Sequence, residues 1–248
     1  MEFSFQLYSA RKFPPLEPFL KKLADYGYTQ VEGYGDVYMQ PETVAADLKK
    51  YGLTMPTGHF QLAMLEDTSA TMKLAETLGV KTLICPAVPQ DQRKQSDAGW
   101  AMVADTLATL ADTYKKAGFA LVWHNHAFEF EPTDTGKLPM NILLDGAPNI
   151  EWEVDIAWLI VGKEDIGSWF DKYGRRITAI HVKDLAPQGQ NADEDGQADV
   201  GFGTLDWQGL YTAIKAKTQT KYFVMEHDNP SDPDRFARRS IASAKSWK

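Results

Sequence analysis

Ala117-Gly118-Phe119-Ala120-Leu121-Val122-Trp123-His124-Asn125-His126 carries the phrase that decides the fold: a helix end, a glycine, and an apolar run closing on polar residues. Asp97 to Ala117 reads as the helix, Gly118 as its left-handed cap, and Leu121 to His126 as a buried strand. The same phrase recurs at Tyr26-Gly27, Tyr51-Gly52 and Leu78-Gly79. Eight apolar or β-branched runs read as strands: Phe3 to Leu7, Gln30 to Glu32, Thr54 to His59, Thr82 to Pro86, Leu121 to His126, Ile150 to Asp155, Ile177 to His181 and Tyr222 to Glu226. Leu16 to Tyr26, Pro41 to Tyr51, Ser69 to Leu78, Asp97 to Ala117 and Leu210 to Ala216 read as helices between them. Strictly alternating strands and helices define an α/β fold, and eight units in a chain of 248 residues predict a single (β/α)₈ TIM barrel over residues 1–248. No Gly-x-Gly-x-x-Gly follows the first strand, which disfavours an open dinucleotide-binding sheet. The polar, Asp- and Gly-rich stretch 185–206 follows the seventh strand and is expected to be an extended loop at the active-site end.

Composition excludes several classes of function. The net charge is −8, against a polyanionic partner, so no nucleic acid is expected. No apolar run is long enough to span a bilayer and Met1 to Phe5 lacks the features of a signal peptide, so the default is a cytoplasmic protein with no membrane partner. The single cysteine, Cys85, lies in an apolar strand and reads as a small buried hydrophobe.

The chemistry collects at the strand ends. All five histidines, His59, His124, His126, His181 and His227, fall at or just after a predicted strand's C-terminal end. Glu32, Glu129, Asp155 and Glu226 occupy similar positions. In a barrel these ends converge on one mouth. Side-chain alternation then selects those that face inward. In Ala179-Ile180-His181-Val182-Lys183, His181 and Lys183 share the inner face. In Glu153-Val154-Asp155, Asp155 lies at the rim with Glu153 one layer deeper, and in Val224-Met225-Glu226 the glutamate points inward. Two carboxylates and an imidazole suit one divalent cation, with Mn²⁺ favoured and Mg²⁺ or Co²⁺ as alternatives.

Four phrases, Trp123-His124-Asn125-His126-Ala127-Phe128-Glu129-Phe130, Glu153-Val154-Asp155-Ile156-Ala157-Trp158, Ile180-His181-Val182-Lys183-Asp184 and Val200-Gly201-Phe202-Gly203-Thr204-Leu205-Asp206-Trp207, give the chain its resemblance to the sugar phosphate isomerase/epimerase family of xylose-isomerase-like barrels. Phe5-Gln6-Leu7-Tyr8-Ser9 and Met225-Glu226-His227-Asp228 extend the resemblance over essentially the whole chain. The resemblance implies a metal held by four strand-end residues, of which Asp155, His181 and Glu226 carry over by motif. The first ligand departs from the pattern, because Val122 stands where some relatives have glutamate. Glu129 is the expected substitute, with Glu131 and His124 as alternatives.

The implied reaction is an isomerisation or epimerisation of a ketose or keto-sugar through proton abstraction and an enediolate, with His124 or His126 as base, or Glu226 or Glu129 in its place. Lys183, His59, Glu32 and Trp158 are the expected substrate-binding residues, and Trp123, Phe128 and Phe202 are further aromatics able to stack on a sugar. A lyase or dehydratase acting on a 3-keto sugar or keto-glycoside is the second reading, since it shares the enediolate, and a non-catalytic sugar-binding barrel is the third. Few arginines fall near the predicted mouth, Arg11 being the obvious one, so an unphosphorylated substrate is expected. Many barrels of this kind pair beside the mouth, which makes a homo-oligomer the corresponding expectation.

Overall fold

A computed structural model describes residues 2–248. Strands β1 (Ser4–Gln6), β2 (Gln30–Gly33), β3 (Thr54–His59), β4 (Thr82–Cys85), β5 (Ala120–His124), β6 (Glu151–Asp155) and β7 (Ile177–Val182) are seven staves of a closed parallel barrel. A short antiparallel pair, β8 (Asp184–Leu185) and β9 (Gln197–Ala198), intervenes before the last stave, β10 (Tyr222–Met225), which closes on β1. The eight predicted strands are therefore the eight staves, with no end displaced by more than two residues.

Helices α1 (Leu16–Tyr26), α2 (Pro41–Tyr51), α3 (Leu62–Glu66), α4 (Thr68–Leu78), α5 (Asp97–Lys116), α6 (Pro139–Gly146), α7 (Ile156–Val161), α8 (Ile166–Tyr173), α9 (Trp207–Lys217) and α10 (Pro233–Ala244) occupy the intervening segments. Gly27 ends α1 at φ 93°, and its N–H returns to Ala24 and Leu23, satisfying carbonyls left open by the helix. The apolar core lies between barrel and helices, where outward-facing strand residues such as Phe5, Val31, Trp123, Trp152 and Ile180 are fully buried. Cys85 is buried there too, as its apolar strand predicts.

The inner face is polar. Gln6, Glu32, Thr57, His124, Glu153, Asp155 and His181 are all buried on the barrel strands. Strand register brings Asp155 beside His181 and Glu153 beside His124, because parallel neighbours with equal parity turn the same way. Eight strands leave an interior just wide enough for side chains to fill, so these polar groups must satisfy one another.

The stretch after β7 is more ordered than its composition predicts. Asp184 accepts the backbone N–H groups of Leu185, Gly201, Gly203 and Leu205 at 2.9, 2.9, 3.2 and 3.1 Å. Asp184 is thus the anchor of the loop, and not the ion-pair partner of Lys183 that adjacency allows. Glu194 fastens the other side, accepting from Ser231 N–H at 2.6 Å and Arg235 Nη2 at 2.8 Å. Asp184→Ala leaves four donors without their acceptor, so a loss of roughly 3 kcal/mol in stability is expected. Urea denaturation should show the lowered midpoint, and limited proteolysis should show faster cleavage between residues 186 and 205. Unchanged cleavage would mean that the hairpin holds the loop without this carboxylate.

Candidate active site

A cavity of about 600 Å³ opens at the C-terminal ends of the strands, with His59, His124, His126, Trp158, Glu226 and Asp228 among its walls. Behind its Glu226 wall, Asp155, His181 and Glu226 bring ligating atoms within 4.8 Å of one another. Each comes from the position that side-chain alternation selects: the end of β6, an inner site of β7, and the residue after β10. His181 Nδ1 lies 2.7 Å from Glu226 Oε2. Asp155 Oδ1 accepts the Trp158 N–H at 2.9 Å and so caps α7. Asp155 Oδ2 points into the group and takes no well-directed hydrogen bond.

Lys183 enters the same space. Its ammonium stands 2.8 Å from Asp155 Oδ2 and 2.9 Å from both Glu226 Oε2 and Asp228 Oδ2. Burial disfavours the charged amine, but Asp155, Asp228 and Glu226 outweigh it and raise its pKa well above the ordinary value. Burial lifts Asp155 to about 6, with Lys183 and His181 acting in the opposite direction. The two carboxylates and one imidazole fit a divalent cation by number and kind of donor, with the inward Asp155 Oδ2 at present facing the Lys183 ammonium.

A deeper polar layer lies below. His59 Nε2 meets Glu153 Oε2 at 2.8 Å, His124 Nδ1 meets the same oxygen at 3.0 Å, and His181 Nε2 meets Glu32 Oε1 at 2.7 Å. Burial opposes a charge on His59, yet Glu32 and Glu153 raise it to about 9. His124 is driven well below the usual imidazole range by burial and by the neighbouring His181. Burial, then Lys183, lowers His126 to about 4, so at neutral pH its ring is uncharged. His126 Nδ1 is buried without a partner, and the ring lies between those of Phe128 and Trp158, at centroid distances of 5.7 and 6.1 Å.

Other expected residues fall elsewhere. Glu129 is not brought to Asp155, His181 and Glu226: its Oε2 accepts the His126 backbone N–H at 2.9 Å, three residues back, in a local turn. Burial raises its pKa well above the ordinary carboxylate value. The alternative Glu131 is exposed on the surface beyond that turn. Glu32 sits beneath the cavity instead of at its rim, accepting Gln6 Nε2 at 2.8 Å. His227 is buried but turned away, with Nδ1 accepting the Asn229 N–H at 3.2 Å and the ring against Phe236. Four histidines, not five, therefore share the inner space. Of the expected aromatics, Trp158 lines the cavity, Trp123 is packed under the helices, Phe128 stacks on His126, and Phe202 is exposed beside Arg239.

Sequence reasoning missed Arg93 and Asp228. Both line the cavity, Arg93 from the loop after β4, with its guanidinium 4.5 Å from the centre of the Phe128 ring. Asp228 was visible in the closing motif, two residues past Glu226 and hence of equal parity in an extended continuation; no local signal marks Arg93. Arg11 also lines the cavity, donating to the backbone carbonyl of Tyr8 at 3.0 Å and to that of Asp228 at 2.5 Å.

Comparison with known proteins agrees with this architecture. The model of the xylose isomerase-like TIM barrel family matches residues 20–247, and the chain belongs to that family. Inosose dehydratase from Lacticaseibacillus casei is 24% identical over 161 residues, 59% of this chain and 53% of that protein. The chain thus spans about half the length of the curated relatives it matches. The crystal structure of a sugar phosphate isomerase/epimerase from Parabacteroides distasonis superposes with a TM-score of 0.81 at 16% identity, covering 99% of this chain and 93% of the other. The structure of IOLI protein with a binding zinc atom superposes at 0.77 with 17% identity, covering 98% and 96%. At these identities the structural matches show the shared fold. Among the described residues, no helix is long and apolar enough to cross a membrane.

Proposed function

We propose that this chain is a metal-dependent isomerase or epimerase that takes a proton from the carbon beside the carbonyl of a ketose or keto-sugar. The observation that carries the reading is that Glu226 and two uncharged imidazoles, His124 and His126, line a single cavity while Asp155, His181 and the Lys183 ammonium are packed directly against Glu226 and one another behind its wall. A divalent ion held by Asp155, His181 and Glu226, Mn²⁺ first with Mg²⁺ or Co²⁺ as alternatives, would polarise the substrate carbonyl.

His126 is the base of choice, since its ring is neutral, faces the cavity and has a free Nδ1. Glu129, through its bond to the His126 backbone, positions that ring and is not assigned to the metal. Lys183 is placed to hold the oxygen on which negative charge grows as the proton leaves. Trp158 and His59 supply wall contacts for an uncharged polyol. Return of the proton to the opposite face gives an epimer, and its delivery to the neighbouring carbon gives an isomer.

A second reading, dehydration, is favoured by the similarity to inosose dehydratase. It uses the same proton abstraction, followed by loss of a β-hydroxyl that leaves with a proton as water. One experiment addresses both. The purified protein is stripped with a chelator, reloaded singly with Mn²⁺, Mg²⁺, Co²⁺ or Zn²⁺, and followed by NMR in deuterated solvent with ketoses, 3-keto sugars and inososes. Metal-dependent deuterium entry beside the carbonyl is expected, and the product separates epimer, isomer and alkene. Bound metal without exchange in any of these substrates would refute the reading.

A further inference from the structure

Below Asp155, four side chains from four strands turn their ligating atoms toward one point. His59 Nε2 from β3, His124 Nδ1 from β5, Glu153 Oε2 from β6 and His181 Nε2 from β7 all lie within 4.8 Å of one another. The three ring nitrogens stand 2.8, 3.0 and 3.1 Å from the single Glu153 oxygen. A carboxylate has about four lone-pair sites over its two oxygens, or about two on each. His59 and His124 therefore fill Oε2, and His181 Nε2, whose own hydrogen bond goes to Glu32 Oε1 at 2.7 Å, crowds against it as a third nitrogen, while Oε1 of the same carboxylate is buried with no hydrogen bond. A network shaped for hydrogen bonding would spread its donors over both oxygens. Crowding of three imidazole nitrogens and one oxygen is instead the donor arrangement of a cation site.

We propose that His59, His124, Glu153 and His181 form a second metal site, deeper in the barrel than Asp155 and Glu226, that takes a zinc-class ion. Three nitrogens and one oxygen select Zn²⁺ or Co²⁺ over the harder Mg²⁺ and Mn²⁺, which prefer oxygen. Charge balances as well: with neutral imidazoles, Glu153 and Glu32 together offset a divalent ion. Glu32 supplies the supporting shell, its Oε1 lying 3.2 Å from His59 Nε2 and 2.7 Å from His181 Nε2, and its Oε2 buried without a partner.

His181 is suited to this role by its other nitrogen. With Nε2 turned to the deep site, Nδ1 donates to Glu226 at 2.7 Å, and a carboxylate on the second nitrogen is the usual way a metal-bound imidazole is fixed in tautomer and orientation. His59, whose side chain is 12% exposed on the cavity wall, gives the ion an entry path. The inference goes beyond the proposed reaction, and because a neutral imidazole offers a single lone pair, His181 serves the deep ion through Nε2 or the ion at Asp155 and Glu226 through Nδ1, one at a time.

Metal-stripped full-length protein loaded with Co²⁺ tests it. Four-coordinate Co²⁺ with three nitrogen ligands should give intense visible absorption, together with one equivalent of tightly held metal. His124→Gln and Glu153→Gln should each abolish that band and that equivalent, whereas Asp155→Asn should retain both. X-ray absorption on the unmodified protein loaded with Zn²⁺ guards against variants that fail to fold, and three imidazoles per deep zinc are expected. One imidazole per zinc, or a band that survives His124→Gln and disappears in Asp155→Asn, would overturn the deep site and leave the proposed reaction standing. Absence of any bound metal would overturn both.

Discussion

Asp155→Asn is expected to lower turnover by about 10³-fold while leaving the barrel as stable as the parent. Loss of Lewis-acid assistance worth several kcal/mol, at 1.36 kcal/mol per factor of ten, sets that scale. The two oxygens of Asp155 have separate duties: Oδ1 caps α7 through the Trp158 N–H, and Oδ2 faces Lys183 and His181. Asparagine can keep the cap and loses the charge, whereas Asp155→Ala loses both and should cost about 1 kcal/mol of stability in addition. Kinetics and thermal melts of the two variants, with metal content measured alongside, check the division. An asparagine variant within tenfold of the parent would remove Asp155 from the reaction.

Lys183→Met is expected to destabilise the metal-free protein by roughly 3–5 kcal/mol. The ammonium is 1% exposed and stands within 2.9 Å of oxygens from three carboxylates, those of Asp155, Glu226 and Asp228. Methionine fills much of the volume but leaves those charges facing one another in a site shielded from water. For a chain of this size the deficit corresponds to a melting temperature lower by roughly 10 °C. Saturating Mn²⁺ should recover much of it, because an ion bound only by the folded state at a hundred times its Kd contributes about 2.7 kcal/mol. The parent, which has its own cation there, should gain less. Equal metal-induced shifts in the two proteins would show that Lys183 and the ion do not serve the same carboxylates.

Several elements of this protein are legible in its sequence alone. The helix, glycine, strand phrase located the staves, and alternation in β6 and β7 placed Asp155, His181 and Lys183 on one inner face. The same parity rule, applied one residue further, turns His227 outward once Glu226 is inward, so the clustering of five histidines was a property of strand ends and not of one pocket. Glu129 illustrates the opposite case. Its position after β5 is near the mouth in sequence, but a tight turn folds the carboxylate back onto the His126 N–H, a choice made by local backbone geometry that residue type does not reveal.

The sequence by itself determined the barrel, the polar inner face and three residues of the site, because strand periodicity and strand-end position are one-dimensional patterns. Only the tertiary structure decided what those residues do to one another. Closure of β10 onto β1 sets the ring in which Gln6, Glu32, His181, Glu153, His59 and His124 meet, and the pairing of β10 with β7 brings Lys183 to Asp228. Arg93 reaches the same cavity from a loop of unremarkable sequence. Those contacts join residues as much as 149 positions apart, and the closure of eight strands around a narrow interior, which leaves buried charges no partner but each other, is a constraint of three-dimensional packing.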